Sequence, residues 1–163
     1  MLNKEQKEKM PLFLEEAIAL ANEKMNAGEG GPFGAVIVKN NQVVGRGWNR
    51  VTSKKDPTAH AEMEAIRRAC KTLDTFSLEG CEIYSSCEPC PMCLAAIYWA
   101  RLDALIFAAT REDAADAGFD DDVLYQQVAL LPEQRSLLSK NVGRKQAQEV
   151  FKRWKEKEDK MMY

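Results

Sequence analysis

Three of the chain's five cysteines lie within seven residues, in the stretch SCEPCPMC at residues 86–93. Such crowding fits a disulfide, a redox-active dithiol or a metal site. Cys90 and Cys93 are three residues apart, and Pro91 is typical of the first position of a helix, so both thiols are predicted on one face of a first helical turn. The partial positive charge of a helix N-terminus stabilises thiolates, which suits a metal site and a redox pair equally.

His60, the single histidine of the sequence, favours the metal. It lies in the stretch DPTAHAEMEA, at the predicted start of another helix. If the two helix ends meet, His60, Cys90 and Cys93 form a three-ligand site with one position left for water, which is typical of catalytic zinc. On its own, His60 would be interpreted as a hydrogen-bonded residue at a helix end. Because a redox pair needs no histidine, the combination predicts one zinc ion per chain.

Glu62 is the candidate proton carrier of this site. It follows His60 by two residues, and in a first turn entered from a loop both side chains can lean over one cavity. Zinc lowers the pKa of a bound water to about 7, and a nearby carboxylate can then move protons between that water and a substrate. Taken alone, Glu62 would be a first-turn acid that interacts with the helix dipole, and that is the interpretation for Glu64.

The segments around these residues predict an α/β sandwich with a mixed sheet. The predicted elements, in chain order, are a helix at 11–27, strands at 35–39 and 42–47, a helix at 59–73, a strand at 81–86, a helix at 91–101, a buried strand at 104–110 and an amphipathic helix at 147–154. The residue pair Asn40-Asn41 between the first two strands predicts a hairpin. The pattern is weak over residues 123–144.

Composition excludes several classes of protein. A chain of 163 residues with 45% hydrophobic residues predicts a single domain, 1–163, with a real core. No apolar run typical of a signal peptide or membrane span is found near the N-terminus, so we expect a cytoplasmic protein without a membrane partner. In that reducing compartment, an odd number of cysteines argues against a disulfide framework. A net charge of −2 and no basic block argue against nucleic acid as a partner.

The motifs HAE at residues 60–62 and PCPMC at residues 89–93 resemble the signature of the zinc-dependent cytidine deaminase superfamily. The stretches GGPFGAVIVK, KDPTAHAEMEAIRRACK, SSCEPCPMCLAAIYWAR and DAADAGFDDD are more similar still to its bacterial guanine deaminase branch. The resemblance implies a three-layer α/β/α sandwich with a mixed five-stranded sheet. It also implies hydrolysis of guanine to xanthine and ammonia, with zinc activating water and Glu62 acting as the proton shuttle.

The resemblance assigns further residues to a purine base as substrate. Asp121 would accept hydrogen bonds from the adjacent N1–H and N2–H groups of guanine, and the amide of Asn49 would bind a base edge. Phe33 and Trp99 would flank the base, with core packing as the alternative for each. Cys70, Cys81 and Cys87 are predicted to be small apolar residues of the core.

The C-terminal residues imply a second copy of the chain. Phe151 and Trp154 lie on the last amphipathic helix, and Tyr163 is the final residue of the sequence. The resemblance implies a homodimer in which residues 145–163 are exchanged and Tyr163 lies near the partner's substrate. The alternative is a disordered tail.

Other functions fit the same motifs. Guanosine, cytidine and tRNA adenosine deaminases share the zinc motif, but the acidic pI near 5.6 argues against a tRNA substrate. A non-catalytic module with a structural zinc is the alternative from another class, and a fourth coordination position left open argues against it.

Overall fold

The computed structural model describes residues 4–162. The chain divides into two compact units, one that ends at Asp121 and one that begins at Asp122. The first unit contains the residues that the sequence predicts to bind zinc and substrate, apart from Tyr163, which lies outside the described residues.

The strands are β1 (Gly34–Lys39), β2 (Gln42–Trp48), β3 (Cys81–Cys87) and β4 (Ala104–Ala109). The helices are α1 (Lys4–Asn26), α2 (Val51–Lys54), α3 (Ala61–Leu73), α4 (Pro91–Trp99), α5 (Arg111–Asp116), α6 (Asp122–Ala129) and α7 (Arg144–Glu156), with a 3₁₀ turn at Pro132–Gln134. None of the described helices is both long and apolar enough to span a membrane.

The sheet has the strand order β2-β1-β3-β4. β1 pairs antiparallel with β2 and with β3, whereas β3 and β4 are parallel, so the mixed sheet is confirmed. Asn40 and Asn41 join β1 to β2 with φ angles of 50° and 60°. A type I′ turn requires positive φ at both central residues, and asparagine tolerates it, which accounts for the predicted hairpin.

The prediction of five strands is wrong for the described residues, which form four. After β4 the chain enters α5, because Thr110 and Asp113 form a reciprocal capping box that starts a helix. The described residues that follow form only helices, turns and loops. β4 therefore lies at the edge of this sheet, and its side chains are half-buried or exposed instead of buried.

Helices cover both faces of the sheet, as the predicted α/β/α sandwich requires. On one face, α1 packs on β1 and β3 through a cluster that contains Met10, Phe13, Leu14, Val36, Val38 and Tyr84. On the other face, α3 and α4 pack on the same strands through Ala61, Ala65, Ala69, Ile97, Ile37 and Ile83, among others. The two clusters account for the alternation of side chains along β1 and β3.

Two glycines of β2 allow α3 to lie against the sheet backbone. A Cβ atom at Gly47 would lie 1.9 Å from the carbonyl oxygen of Ala61, and one at Gly45 would lie 2.5 Å from that of Ala65. No larger residue fits such an approach. The position of the N-terminus of α3, with His60 and Glu62, is therefore fixed relative to the sheet.

α1 begins at Lys4, seven residues before the predicted start at Pro11. Proline lacks the N–H group of a helix interior and disfavours helical backbone in the preceding residue, so a start at Pro11 was expected. Met10 packs against the sheet together with Phe13 and Leu14. This packing stabilises the turns before Pro11, as tertiary contacts commonly override local preference.

The second unit consists of α6, the 3₁₀ turn and α7. The predicted helix at 147–154 is confirmed and extends over Arg144–Glu156. None of its residues is buried, and the apolar Val150 and Phe151 are 65% and 67% exposed.

Candidate active site

Two helix N-termini supply the candidate metal ligands. His60 precedes α3 and Cys90 precedes α4, both with extended backbone, and Pro91 occupies the first position of α4. Neither the His60 nor the Cys90 side chain caps its own helix, so both are available for other bonds. Cys93 lies in the first turn of α4 and is fully buried.

The three predicted ligands come together. The Sγ atoms of Cys90 and Cys93 each lie 3.6 Å from Nδ1 of His60, and the three ligand atoms all lie within 4.8 Å of one another. Tetrahedral zinc with ordinary Zn–S and Zn–N bond lengths separates sulfur from nitrogen by about 3.6 Å. The donor set and its spacing therefore fit one zinc ion, and this is the one group of three such ligands within the described residues.

The two thiols differ in acidity. The hydrogen bond from the Cys93 thiol, together with one from the His60 ring, lowers the pKa of Cys90 to about 4. The same interaction with Cys90, and burial, raise the pKa of Cys93. The hydrogen bond to Cys90 also raises the pKa of His60. Cys90 is therefore the thiolate of the pair, and coordination of a metal by both cysteines would release the proton of Cys93.

Glu62 lies beside these ligands in the first turn of α3 and is 6% exposed. Burial raises the pKa of its carboxyl group, which interacts with the Cys93 thiol. Oε1 of Glu62 also accepts a hydrogen bond of 3.4 Å from the hydroxyl of Ser85. A buried carboxyl group with a raised pKa next to a metal site can take up and give back a proton, as a general base and acid must.

Asn49 is held rigidly at the end of β2 and is 8% exposed. Its Oδ1 atom accepts hydrogen bonds from the backbone N–H groups of Gly31 at 3.1 Å and Val51 at 3.2 Å. Two backbone donors identify that atom as oxygen, so the amide NH2 group points to the other side. The backbone N–H of Asn49 also donates to the carbonyl of Phe33 at 3.0 Å.

Asp121 ends the first unit and is half-buried. Burial and the negative charge of Cys90 raise the pKa of its carboxyl group, which shows that the side chain lies within electrostatic range of the metal ligands. The preceding Phe119 packs edge to face on Phe33, with ring centroids 4.9 Å apart. This contact ties the loop of Asp121 to the residues that hold Asn49.

Trp99 is not brought to this group. Trp99 ends α4 and is 67% exposed, so its alternative assignment to the core is wrong. It lies about 13 Å along the helix axis from Cys90, and its role in flanking a base stays a prediction. Tyr163 lies outside the described residues.

The other cysteines and Glu64 have structural surroundings. Cys81 and Cys87 are buried as predicted, whereas Cys70 is half-buried. Glu64 is 3% exposed and is not a simple first-turn acid. Its carboxylate accepts two hydrogen bonds of 2.8 Å from Lys54 and one of 3.2 Å from Arg67. The bonds from Lys54 tie α2 to α3, and the bond from Arg67 lies within α3.

Ser85 and Phe119 were not predicted from the sequence as parts of the site. Ser85 is a polar residue on the face of β3 that otherwise carries Cys81 and Ile83, and this break in an apolar series was the available signal. Phe119 is the single aromatic residue within the acidic stretch EDAADAGFDDD, a weaker signal.

Comparison with known proteins agrees with this geometry. The family model of the cytidine and deoxycytidylate deaminase zinc-binding region matches residues 7–109. Guanine deaminase of Bacillus subtilis (strain 168) is 49% identical over 151 residues, which cover 93% of this chain and 97% of that protein. The X-ray structure of guanine deaminase from Bacillus subtilis superimposes with a TM-score of 0.91 and 47% identity, with 99% of both chains covered.

A tRNA-specific adenosine deaminase of Aquifex aeolicus (strain VF5) is 46% identical over 97 residues. That similarity covers 60% of this chain and 64% of the tRNA enzyme. The alignment with the guanine deaminase is longer and extends beyond Asp121 into the second unit.

Proposed function

The chain belongs to the cytidine and deoxycytidylate deaminase family, and from this premise we propose that it hydrolyses guanine to xanthine and ammonia, in purine catabolism or salvage. The observation that carries the proposal is the His60, Cys90 and Cys93 group with Nδ1–Sγ distances of 3.6 Å beside the buried Glu62. The similarity to a guanine deaminase over 93% of the chain supports guanine as the substrate.

In this mechanism Nδ1 of His60 and the Sγ atoms of Cys90 and Cys93 would hold one zinc ion. Zinc bound there would make a water molecule a nucleophile at neutral pH. Glu62 would accept a proton from the water that attacks C2 of guanine and deliver it to a ring nitrogen. It would then accept the remaining proton of the new C2 hydroxyl group and pass it to the amine, so that the C2–N bond breaks, ammonia leaves and C2 becomes a carbonyl. Burial raises the pKa of Glu62, which makes its carboxyl group a stronger base than an exposed glutamate and suits it to take up a proton before passing it on.

Asp121 and Asn49 select the base in this proposal. Guanine presents N1–H and N2–H as adjacent donors, and a single carboxylate can accept from both. The NH2 group of Asn49, whose oxygen is occupied by Gly31 and Val51, donates to an acceptor on the purine. The ring of Phe33, braced by Phe119, forms a wall against the face of the base.

We extend the proposal to a cytoplasmic homodimer with no nucleic acid partner, in which residues 145–163 are exchanged and Tyr163 covers the partner's substrate. The second unit supports this extension, because several of its large apolar side chains are exposed. They include Leu137, Leu138, Val142, Val150 and Phe151, which are 65% to 86% exposed. Apolar surface of this extent is typical of an interface with another chain.

The alternatives are weaker. The similarity to the tRNA adenosine deaminase covers 60% of the chain, and the net charge of −2 does not favour a phosphate backbone. Cytidine would lack the fit to Asp121 that guanine has, and guanosine would add a sugar to the base. A structural zinc module gives no reason for a buried carboxyl group beside the ligands.

The test is a substrate panel. The zinc-loaded protein is incubated with guanine, guanosine, adenosine and cytidine, and ammonia release is measured together with xanthine formation. We expect turnover of guanine well above that of the other three. Turnover of a nucleoside in preference to guanine would contradict the substrate assignment, and no turnover of any compound would support a structural zinc site.

A further inference from the structure

Ser85 breaks the apolar pattern on one face of β3. Cys81 and Ile83 on that face belong to the core beneath α3 and α4, and both are fully buried. Ser85 continues the same face and is 2% exposed. A hydroxyl group at such a position costs free energy unless it finds a hydrogen-bond partner.

The partner of Ser85 is the carboxylate of Glu62. The Ser85 hydroxyl donates to Oε1 of Glu62 at 3.4 Å, and the contact is buried. Both ends are held by the fold. Ser85 lies on a strand that pairs on both sides, opposite Ala35 of β1 and Phe107 of β4. Glu62 lies on the turn of α3 that the close approach at Gly47 fixes to the sheet.

We propose that Ser85 is a positioning residue for the proton shuttle. Its hydroxyl holds one oxygen of the Glu62 carboxylate in place and leaves the second oxygen to exchange protons with water and substrate. This inference rests on the proposed deaminase function. It assigns to the sheet, and not only to α3, a direct part in orienting the catalytic carboxylate.

The test compares Ser85→Ala with Ser85→Thr, which keeps the hydroxyl group. In zinc-loaded Ser85→Ala we expect kcat for guanine to fall about tenfold, because the lost hydrogen bond orients the group that transfers the proton. KM and zinc content should stay unchanged, since Ser85 is not assigned to bind substrate or metal. Ser85→Thr should recover most of kcat. In a Glu62→Gln background, Ser85→Ala should cause no further loss, since there is no shuttle left to orient.

A crystal structure of Ser85→Ala supplies a readout besides activity, in which we expect the Glu62 carboxylate to rotate from its position or to adopt two conformers. Wild-type kcat in Ser85→Ala, or an equal additional loss in the Glu62→Gln background, would overturn the inference. If Ser85→Thr does not fold, the effects of Ser85→Ala in the wild type and in the Glu62→Gln background still decide the question. If the wild type does not deaminate guanine, the proposed function fails, and the position of Glu62 in the crystal structure still decides the role of Ser85.

Discussion

At the scale of single residues, the site depends on side chains whose ionisation is changed by their neighbours. Cys90 has a pKa of about 4 because Cys93 and His60 donate hydrogen bonds to it. Burial raises the pKa of Glu62, whose carboxyl group interacts with the Cys93 thiol. The two effects separate a thiolate that binds metal from a carboxyl group that can hold a proton.

Loss of either thiolate ligand should remove the zinc. Cys90→Ala or Cys93→Ala leaves two protein ligands, which are too few for tight binding of catalytic zinc. We expect metal analysis to show about one zinc per chain in the wild type and almost none in either variant. Cys87→Ala is the matched control, because Cys87 is buried in the same segment but lies outside the ligand group. Stoichiometric zinc in both ligand variants would refute the assignment.

Asp121→Ala should affect substrate choice more than folding. A carboxylate that accepts two hydrogen bonds from guanine contributes about 10- to 100-fold to kcat/KM. A half-buried acid without a strong partner contributes little to stability. We expect a loss of this size for guanine with an unchanged thermal midpoint, and no loss in Asp116→Ala, a control in the same acidic stretch. An equal loss for every substrate tested would count against a role in reading guanine.

The zinc ligands could be predicted from the sequence, whereas Ser85 and Phe119 could not. Histidine and a pair of cysteines three residues apart are the donor types and spacing that zinc sites use, so their combination is informative before any contact is known. Serine and phenylalanine are common, and their roles depend on contacts with residues 23 and 86 positions away in the chain. Such contacts follow from the packing of the sheet and not from local spacing.

At the scale of elements, α3 is the platform of the site. His60 directly precedes it and Glu62 lies in its first turn. Its alanines pack on β2 at Gly45 and Gly47, and Glu64 ties it to α2. Although burial raises the pKa of the Glu64 carboxyl group, hydrogen bonds and charges from Lys54, Arg67 and Arg68 lower it overall. The cluster therefore stabilises the end of α3 that presents the ligand.

Glu64→Gln should lower the free energy of unfolding at neutral pH and remove part of the dependence of that free energy on pH in the acidic range. Since the folded pKa of Glu64 lies below the unfolded value of about 4.3, its contribution is complete above that value and is lost as the pH falls through the folded pKa. In urea titrations we expect the free energy of unfolding of Glu64→Gln to be about 1–3 kcal/mol below that of the wild type at pH 7. At strongly acidic pH the two free energies should be equal.

The exposed pair of Glu5 and Lys9 provides the control for this prediction. Glu5→Gln should change the urea midpoint little at any pH, because exposed ion pairs contribute little. A constant difference between wild type and Glu64→Gln across the whole pH range would show that the loss comes from packing and not from charge.

Most elements followed from local patterns, and the exceptions have physical reasons. The hairpin at Asn40-Asn41 and the helices at 59–73 and 91–101 were expected from turn residues, apolar spacing and Pro91, and the structure confirms them within about two residues. The fifth strand was implied by the resemblance alone, and the residues after β4 form helices instead. The start of α1 depends on packing of Met10 against a sheet that is distant in sequence.

At the scale of the whole molecule, the second unit has no assigned role in the metal site. It carries no predicted zinc ligand, yet it exposes a series of large apolar side chains from Leu131 to Phe151. The sequence gives no clear prediction of secondary structure over residues 123–144, because apolar residues there do not follow one helical or strand period. A partner chain that receives these side chains would account for both features.

Removal of residues 157–163 should raise KM or lower kcat for guanine while zinc content and the thermal midpoint stay unchanged. The proposed tail excludes water from the partner's site and is distant from the metal ligands in sequence. Sedimentation should show a dimer for the full chain. Normal turnover by the truncated protein would contradict a role for the tail as a lid.

Mixed dimers distinguish exchange between chains from closure within one chain. Full-length Glu62→Gln subunits and truncated wild-type subunits are each impaired, the first in proton transfer and the second in its tail. If tails are exchanged, co-expression of the two should restore activity, because the inactive subunit covers the intact site of its partner. Activity equal to that of the truncated protein alone would show that the tail acts only on its own chain.

The most direct test of the account is the rate of ammonia release from guanine by zinc-loaded wild type and Glu62→Gln. The substitution keeps the size of the side chain and its contact with Ser85, but it removes the group that carries the proton. We predict steady formation of xanthine by the wild type and a loss of kcat of about 10²–10⁴-fold or more in Glu62→Gln at unchanged zinc content. Comparable rates for the two proteins would contradict the central claim that Glu62, beside the zinc ligands His60, Cys90 and Cys93, carries the proton in guanine deamination.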